Sequence, residues 1–416
     1  MIVHKALEGV KVLDFTWSEV GPLTTMTLGQ HGATVIRVET HHRLDFVRVS
    51  GPFKDGVAGI DRSGFYGSLN ANKFSISIDL NNPGSTDVTR RLVEWADVVI
   101  EGLTPGKMAK WNLDYESVRA ARPDIVYVST SIQGQTGPYS RQGGYGPQAT
   151  ACAGLYELTG ASDGPPNFIY AAYTDSISPY YLVTVILASL VRRRRTGKGL
   201  RIDQSQIEAG IFHLGSAILE YTANNRLRPR IGNRDPYMAP HGCYRCLGES
   251  RFCVIAVRTD DEWKEMCAVL GGEEWLTDSR FASSLDRKSH EDELDRLIEE
   301  RTSKWVAHSL MWALQKRGVP VGVVQNAEDL FEDPQLLHRG HFQWLDHPIL
   351  GEMPYHSPSF RLSEAPGRTT RSAPCLGQDN EYVFGQILGY TDEELSDFMA
   401  EGVITFDSGD SLAGTL

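Results

Sequence analysis

The chain reads as α/β, with a Rossmann-like large domain and a small α+β domain. Three observations predict this. β-rich runs alternate with helical runs between residues 10 and 131. The texture changes after about residue 225, where Pro, Gly and Arg crowd a linker-like stretch followed by charged amphipathic helices. The tail then returns to turn-rich α/β texture. Strands separated by helical crossovers imply parallel pairing, hence the Rossmann-like reading.

The elements follow in order. VKVLDF (10–15) is the first strand. The Gly21-Pro22 turn opens a helical stretch, LTTMTLGQHG, which leads into the strand ATVIRVE (33–39). SISIDL (75–80), a helix near 86–96, DVVIEG (97–102) and DIVYVSTS (124–131) repeat the pattern. The Gly-rich segment GQTGPYSRQGGYG (134–146) interrupts it as a long loop, and long loops in compact domains are often functional. A helix is expected in PQATACAGLYELTG. After Asp175 comes a helix apolar all round, which predicts burial. RLRPRIGNRDPYMAPHG (226–242) reads as a linker. The large domain is therefore expected over 1–224, completed by 331–416, with the small domain at 225–330.

Bulk properties exclude several classes. The 416 residues are 41% hydrophobic and 23% charged, an ordinary globular composition. A formal net charge of −12 argues against a general nucleic-acid binder. Arg192–Arg195 is a short run that suits a solvated helix end. Six cysteines make no disulfide framework. MIVHKALEGVKVLDF lacks a signal-type apolar core, and the apolar run 180–191 is short for a bilayer. A soluble cytoplasmic protein without membrane contact is expected.

Familiar motifs carry little. Gly144-Tyr-Gly146-Pro-Gln-Ala149 matches GxGxxA but follows no strand directly and contains proline. Walker A and GxSxG patterns are absent. Cys243-Tyr-Arg-Cys246 is a lone CxxC, and neither His41-His42 nor His338 with His341 supplies a second ligand pair, so no metal site is expected. Asp175 stands ahead of the apolar helix. By residue type alone it serves as a first-turn acid, with Ser176 or Ser178 as alternative caps and Pro179 in the first turn.

Several segments together resemble the class III CoA-transferase family, which includes formyl-CoA and carnitine CoA-transferases and the α-methylacyl-CoA racemases. They are ALEGVKVLDFTWSEVGPLTTMTLGQHGATVIRVE, NANKFSISIDLNNPG, DVVIEGLTPGKMAKWNLDYE, SIQGQTGPYSRQGGYG, RRRRTGKGLRIDQSQIEA, APHGCYRC and APCLGQDNEYVFGQILGYTDEEL. The resemblance runs nearly end to end. It implies a carboxylate nucleophile at Asp175, which attacks an acyl-CoA thioester to form an aspartyl anhydride. A helix N-terminus would help hold that carboxylate ionised. It also implies CoA contacts from Asn72, Lys73 and Lys110, with Arg43 substituting for a family arginine at the position of Thr40. Glu19, Tyr145 and Gly232 are implied at the substrate, Gly232 on a mobile loop of the small domain.

Departures from the family pattern matter too. Glu19 replaces a family glutamine, Gly146 follows Tyr145 where many relatives have an acid, and Tyr145 replaces the histidine of the racemase branch. Without that histidine, transfer is favoured over racemisation. The opening and TDSISPYY resemble the benzylsuccinate CoA-transferase type. That implies succinyl-CoA as donor and an aromatic dicarboxylate as acceptor. Carnitine-like, oxalate-like and isomerase activities stay open, as does a non-catalytic subunit. The family also implies no resident cofactor, with CoA thioester as substrate. Its subunits form an interlocked, ring-like dimer, here a homodimer or a heteromer with a related chain. Active sites would then lie between the large domain of one chain and the small domain of the other.

Overall fold

A computed structural model describes residues 5–169 and 172–405. The chain divides into two units. One comprises residues up to 155, 169–219 and 334 onwards; the other comprises 156–168 and 220–333. The second unit thus takes 156–168, 220–224 and 331–333 out of the stretches assigned to the large domain by sequence. Local bonds show why. The Gly232 N–H donates to the Gly160 carbonyl at 2.9 Å, and Arg230 pairs with Glu157 at 2.9 Å.

The first unit is built on six strands: β1 (Lys11–Phe15), β2 (Thr34–Glu39), β3 (Phe74–Ser77), β4 (Val98–Glu101), β5 (Val126–Ser131) and β6 (Leu200–Ser205). Their order is β3-β2-β1-β4-β5-β6, and every pairing is parallel. Helices α1 (Val20–Gln30), α2 (Gly64–Leu69), α3 (Ser85–Trp95), α4 (Tyr115–Ala121), α5 (Gly146–Cys152), α6 (Tyr173–Thr196) and α7 (Gln206–Ile211) complete it. Both sheet faces are covered, as parallel sheets require. Alternate residues of one strand serve different cores. Val12, Val35, Val98 and Val126 pack with Leu28 of α1 and with Leu182 and Ile186 of α6. Leu13, Ile36, Ile76 and Val99 pack with α3 and with Phe384 and Leu395 of the tail.

Two expectations about α6 fail. Asp175, Ser176, Ser178 and Pro179 all lie inside the helix, whose N-cap is Ala172 with no side-chain capping bond. Pro179 therefore sits in the second turn, where its missing N–H leaves the Asp175 carbonyl without its helical donor. The helix is not wholly buried either. Its inner face packs on α1, α5 and α7, while Tyr180 (59%) and Val191 (51%) are exposed. Among the described residues it is the one helix long and apolar enough to cross a membrane by length and composition. Gly197 ends it with φ of +65°, which explains the glycine of the Thr-Gly-Lys-Gly turn.

A layer of buried charge lies at the β1–β2–β3 end. Arg48 donates to both Glu39 oxygens at 2.8 Å, to Asp61 at 2.5 Å and to the Pro374 carbonyl at 3.3 Å, with its guanidinium 3.6 Å from the Tyr66 ring centre. Arg37 pairs with Asp45 at 2.5 Å and with Glu39 at 3.4 Å. The two arginines hold the Glu39 carboxyl far below the ordinary carboxylate range against the opposing pull of burial. Removing one partner leaves buried charge uncompensated. Arg48→Met is therefore expected to lower unfolding free energy by about 3–5 kcal/mol, read as a shift in urea midpoint.

The tail closes the β3 edge. The Ser75 N–H donates to Asp379 at 2.8 Å, the Ser77 N–H to Asn380 Oδ1 at 3.0 Å, and the Asp79 N–H to the Val403 carbonyl at 2.9 Å. A hairpin, β10 (Phe342–His347) and β11 (Gly351–His356), precedes this segment. The second unit carries the antiparallel sheet β7 (His241–Arg245), β8 (Phe252–Ala256) and β9 (Val321–Val323) over a core containing Trp263, Trp275 and Phe281. Of the CxxC pair, Cys243 is exposed and Cys246 buried, both as free thiols. Among the described residues no three His, Cys, Asp or Glu side chains converge as a metal site.

Candidate active site

The strand order reverses between β1 and β4, and ligands of such sheets bind beyond the carboxyl ends of the strands at that switch point. A small cavity of about 150 Å³ opens there. Trp17 and Glu19 follow β1, Leu103 and Thr104 follow β4, and Ile132 follows β5. The Gly-rich loop closes it with Gly143 to Gly146, and α6 contributes Asp175. Three implied residues, Glu19, Tyr145 and Asp175, thus meet in one cavity.

Asp175 lies in the first turn of α6, where the helix dipole favours its charge. Burial opposes that charge. Its Oδ1 is buried with no hydrogen-bond partner. Burial first, and then the negative charge of Glu19, push its carboxyl up to about 7. Glu19 stands at the N-cap of α1 but makes no capping bond, and burial raises its carboxyl too. Among the described residues no lysine, arginine or histidine lines the cavity. Like charge and burial therefore act on the nucleophile candidate without a cation to offset them.

Gly146 explains how Asp175 is seated. A Cβ there would lie 2.3 Å from Asp175 Oδ2 and 2.1 Å from the Ala172 Cβ. The chain turns into α5 at this point, and threonines fasten the approach. Thr150 donates to the Gly146 carbonyl at 2.8 Å, and Thr174 donates to the same carbonyl at 3.3 Å. The absence of an acid at Gly146 is thus a packing requirement in this chain.

The cavity meets a larger groove at Trp17, Leu103 and Thr104, which line both. The groove holds about 540 Å³, within the range of cofactor-sized sites. His42, Arg43, Lys107 and Lys110 line it, and the Arg43 guanidinium sits 5.1 Å from the Trp17 ring centre. Arg43 and Lys110 therefore lie where an anionic ligand would meet them. Trp17 and Lys107 belong to the same wall but were not singled out in the sequence. The LTPGK segment that carries Lys107 was the available signal.

Two implied CoA contacts are corrected. Lys73 is fully buried, its Nζ 3.2 Å from Asp14 and 2.8 Å from Asn70 Oδ1. Such an ammonium already has its partners and no exposed surface. Asn72 has φ of +59° and staples the tail: its Nδ2 donates to the Arg368 carbonyl at 2.7 Å, and its Oδ1 accepts from the Thr370 and Arg371 N–H groups. Neither lines the groove. Gly232 belongs to the second unit, with φ of +59°, in a separate open groove with Arg234 and His241.

The carboxylate pair predicts a pH dependence. With Asp175 as the nucleophile, the protonated carboxyl is inactive, so activity of the free protein is expected to fall as pH drops through about 7. Glu19→Gln removes the like charge and lowers the Asp175 value, although burial still raises it. The acid limb of kcat/KM is therefore expected to move to lower pH, with several-fold higher activity than the wild type near pH 6.

A doubly wound sheet with a carboxylate in its switch-point cavity, beside a groove carrying Arg43, Lys107 and Lys110 as well as Glu39 and Asp79, suits an enzyme that binds an anionic carrier. The comparisons give the class its name. Residues 7–380 match the model of CoA-transferase family III, and the chain belongs to that family. It is a CoA-transferase using acyl-CoA thioesters and carboxylic acids. It is 33% identical over 400 residues to succinyl-CoA–D-citramalate CoA-transferase of Chloroflexus aurantiacus, covering 96% of this chain and 98% of that one. It is 30% identical over 400 residues to human succinyl-CoA:glutarate CoA-transferase, covering 96% and 90%. Among solved structures, a CAIB/BAIF family protein from Brucella suis matches with a TM-score of 0.84 and 31% identity, over 92% of this chain and all of that one.

Proposed function

We propose that the protein moves CoA from succinyl-CoA to a dicarboxylic acid through covalent intermediates on Asp175. The observation that carries this is Asp175 in a cavity that shares walls with a cofactor-sized groove bearing Arg43, Lys107 and Lys110. The Asp175 carboxylate attacks the thioester carbonyl. A C–O bond forms, the C–S bond breaks, and the CoA thiolate leaves with the electron pair. The thiolate attacks the aspartyl carbonyl of the mixed anhydride, freeing the donor acid and leaving an aspartyl thioester. The acceptor carboxylate attacks that thioester and releases the thiolate again. Thiolate attack on the acceptor's acyl carbon then yields the new acyl-CoA and restores Asp175. Gly143, Gly144 and Gly146 line the cavity and bring backbone close without a side chain in the way, while the Tyr145 N–H is already donated to Gln148 Oε1 at 3.0 Å; the glycine N–H groups are the candidate donors for the oxyanions.

In this reading the CoA phosphates meet Arg43, Lys107 and Lys110. Relatives named for glutarate and D-citramalate favour an aliphatic dicarboxylate acceptor. The Phe46 and Tyr145 rings, 5.4 Å apart with Tyr145 on the cavity wall, favour an aromatic acid such as benzylsuccinate as second choice. Among the described residues no histidine lines the cavity, which speaks against a racemase. The exposed Tyr180 and Val191 on α6, with Phe212 following α7, support an interlocked dimer. Free thiols throughout suit the cytoplasm. The test is a panel of acyl-CoA donors and free acids, quenched with hydroxylamine and read by peptide mass spectrometry. A hydroxamate on Asp175 with succinyl-CoA supports the route. CoA transfer without any adduct would overturn it.

A further inference from the structure

Ser18 has φ of +63°, a left-handed conformation that is costly for a residue with a side chain. It stands between Trp17, which lines both groove and cavity, and Glu19, which lines the cavity. Its N–H donates to both oxygens of Asp45, at 3.1 and 3.2 Å. Asp45 is buried and anchored by Arg37 at 2.5 Å. The same carboxylate accepts the Val47 N–H at 3.3 Å and so starts the short turn Phe46–Val49. Phe46 in turn meets the Tyr145 ring at 5.4 Å. One carboxylate therefore braces the cavity from two sides, through Ser18 and through the Phe46 turn.

We propose that Asp45 is a positioning residue whose carboxylate, held by Arg37, locks Ser18 in the turn that directs Trp17 and Glu19 to the site of Asp175. Strained backbone persists only where its surroundings over-determine it, and Asp45 supplies that constraint. The inference rests on the CoA-transfer reading for its effect on turnover, but the turn itself is read without turnover.

The test is a double-mutant cycle. In the Ser18 background, Asp45→Ala lets the turn relax and is expected to lower kcat about 10- to 100-fold, since misplacements near 1 Å cost that much. Glycine adopts positive φ unaided. In the Ser18→Gly background, Asp45→Ala should then cost at most a few-fold in kcat. The melting temperature should fall in both backgrounds, because Arg37 loses its shortest ion pair either way and keeps only Glu39 and Asp14. An equal kcat loss in both backgrounds would overturn the proposal and leave Asp45 a stabilising residue only. If Asp45→Ala does not fold, Asp45→Asn decides. Its single amide oxygen can serve the Ser18 N–H or Arg37 but not both as the carboxylate does, so kcat should fall about 10-fold in the Ser18 background and at most a few-fold in the Ser18→Gly background, and equal losses would overturn the idea. Amide exchange at Ser18 needs no substrate. It should be slow in the wild type and fast in the aspartate variant, whether or not succinyl-CoA proves to be the donor. Unchanged exchange would overturn the proposal.

Discussion

Asp175→Asn is expected to abolish CoA transfer while making the protein more stable at neutral pH. An amide cannot form the anhydride, so kcat should fall on the order of 10⁴-fold or more, as for other covalent nucleophiles. The stability gain follows from linkage. The Asp175 carboxyl is raised from its ordinary value of 3.8 to about 7 in the fold. Between those pH values the folded state binds more protons than the unfolded chain, so stability declines as pH rises through that window. Above it, the buried carboxylate costs a few kcal/mol, which the neutral amide does not. The melting temperature of the variant should therefore exceed that of the wild type by a few degrees at pH 8, with the difference vanishing near pH 4. Retained transfer in this variant would remove Asp175 from the chemistry. Lost transfer with a lower melting temperature would mean that the carboxylate supports the fold instead.

Gly146→Ala is expected to cost nearly as much activity through geometry alone. The added methyl would lie within 2.3 Å of Asp175 Oδ2 and within 2.1 Å of the Ala172 Cβ, so something must move. Ala172 is buried and Thr174 is tied to Thr150, which leaves the Asp175 side chain and the glycine loop as the parts that yield. Turnover should drop roughly 100-fold or more, the scale of a misplacement near 1 Å. CoA affinity should hold, because the groove is lined by residues of other segments. A crystal structure or hydroxylamine capture would show the displaced carboxylate. Unimpaired kcat would mean that the cavity reorganises freely.

Much of this was legible in the chain itself, for identifiable reasons. The strands at 10–15, 33–39, 97–102 and 124–131 stand out because a sheet covered on both faces writes near-continuous apolar runs, and the expected strand at 75–80, observed at Phe74–Ser77 on the sheet edge, stands out by its Ser/Ile alternation. β6 was missed as a strand because it is an edge: half-buried Leu200 and buried Ile202 alternate with exposed Arg201 and Asp203, so no continuous apolar run marks it. Asp175, Glu19 and Tyr145 could be grouped from the resemblance, and they do line one cavity. Lys73 could not be sorted by residue type. A cation beside a strand suits a phosphate or a buried aspartate equally, and only the buried side chain of Asp14, on β1, decides. Asp45 was invisible for a related reason. Its partner Ser18 is distant in sequence, and nothing local marks a serine as left-handed.

The tail's place on the β3 edge has a consequence for biosynthesis. Asp379, Asn380 and Val403 supply bonds that β3 and the residues just after it need, and the Leu376 N–H completes Asp61 at 3.0 Å. These residues leave the ribosome after all of 220–333, so the second unit can fold first. At roughly 5–20 residues per second, the nascent sheet waits many seconds for its last partners. During that interval the edge of β3 is open to mispairing. A chain stopped before residue 376 would therefore emerge with Asp175 already made but its sheet unfinished. Such a fragment is a natural client for a chaperone rather than a slow enzyme.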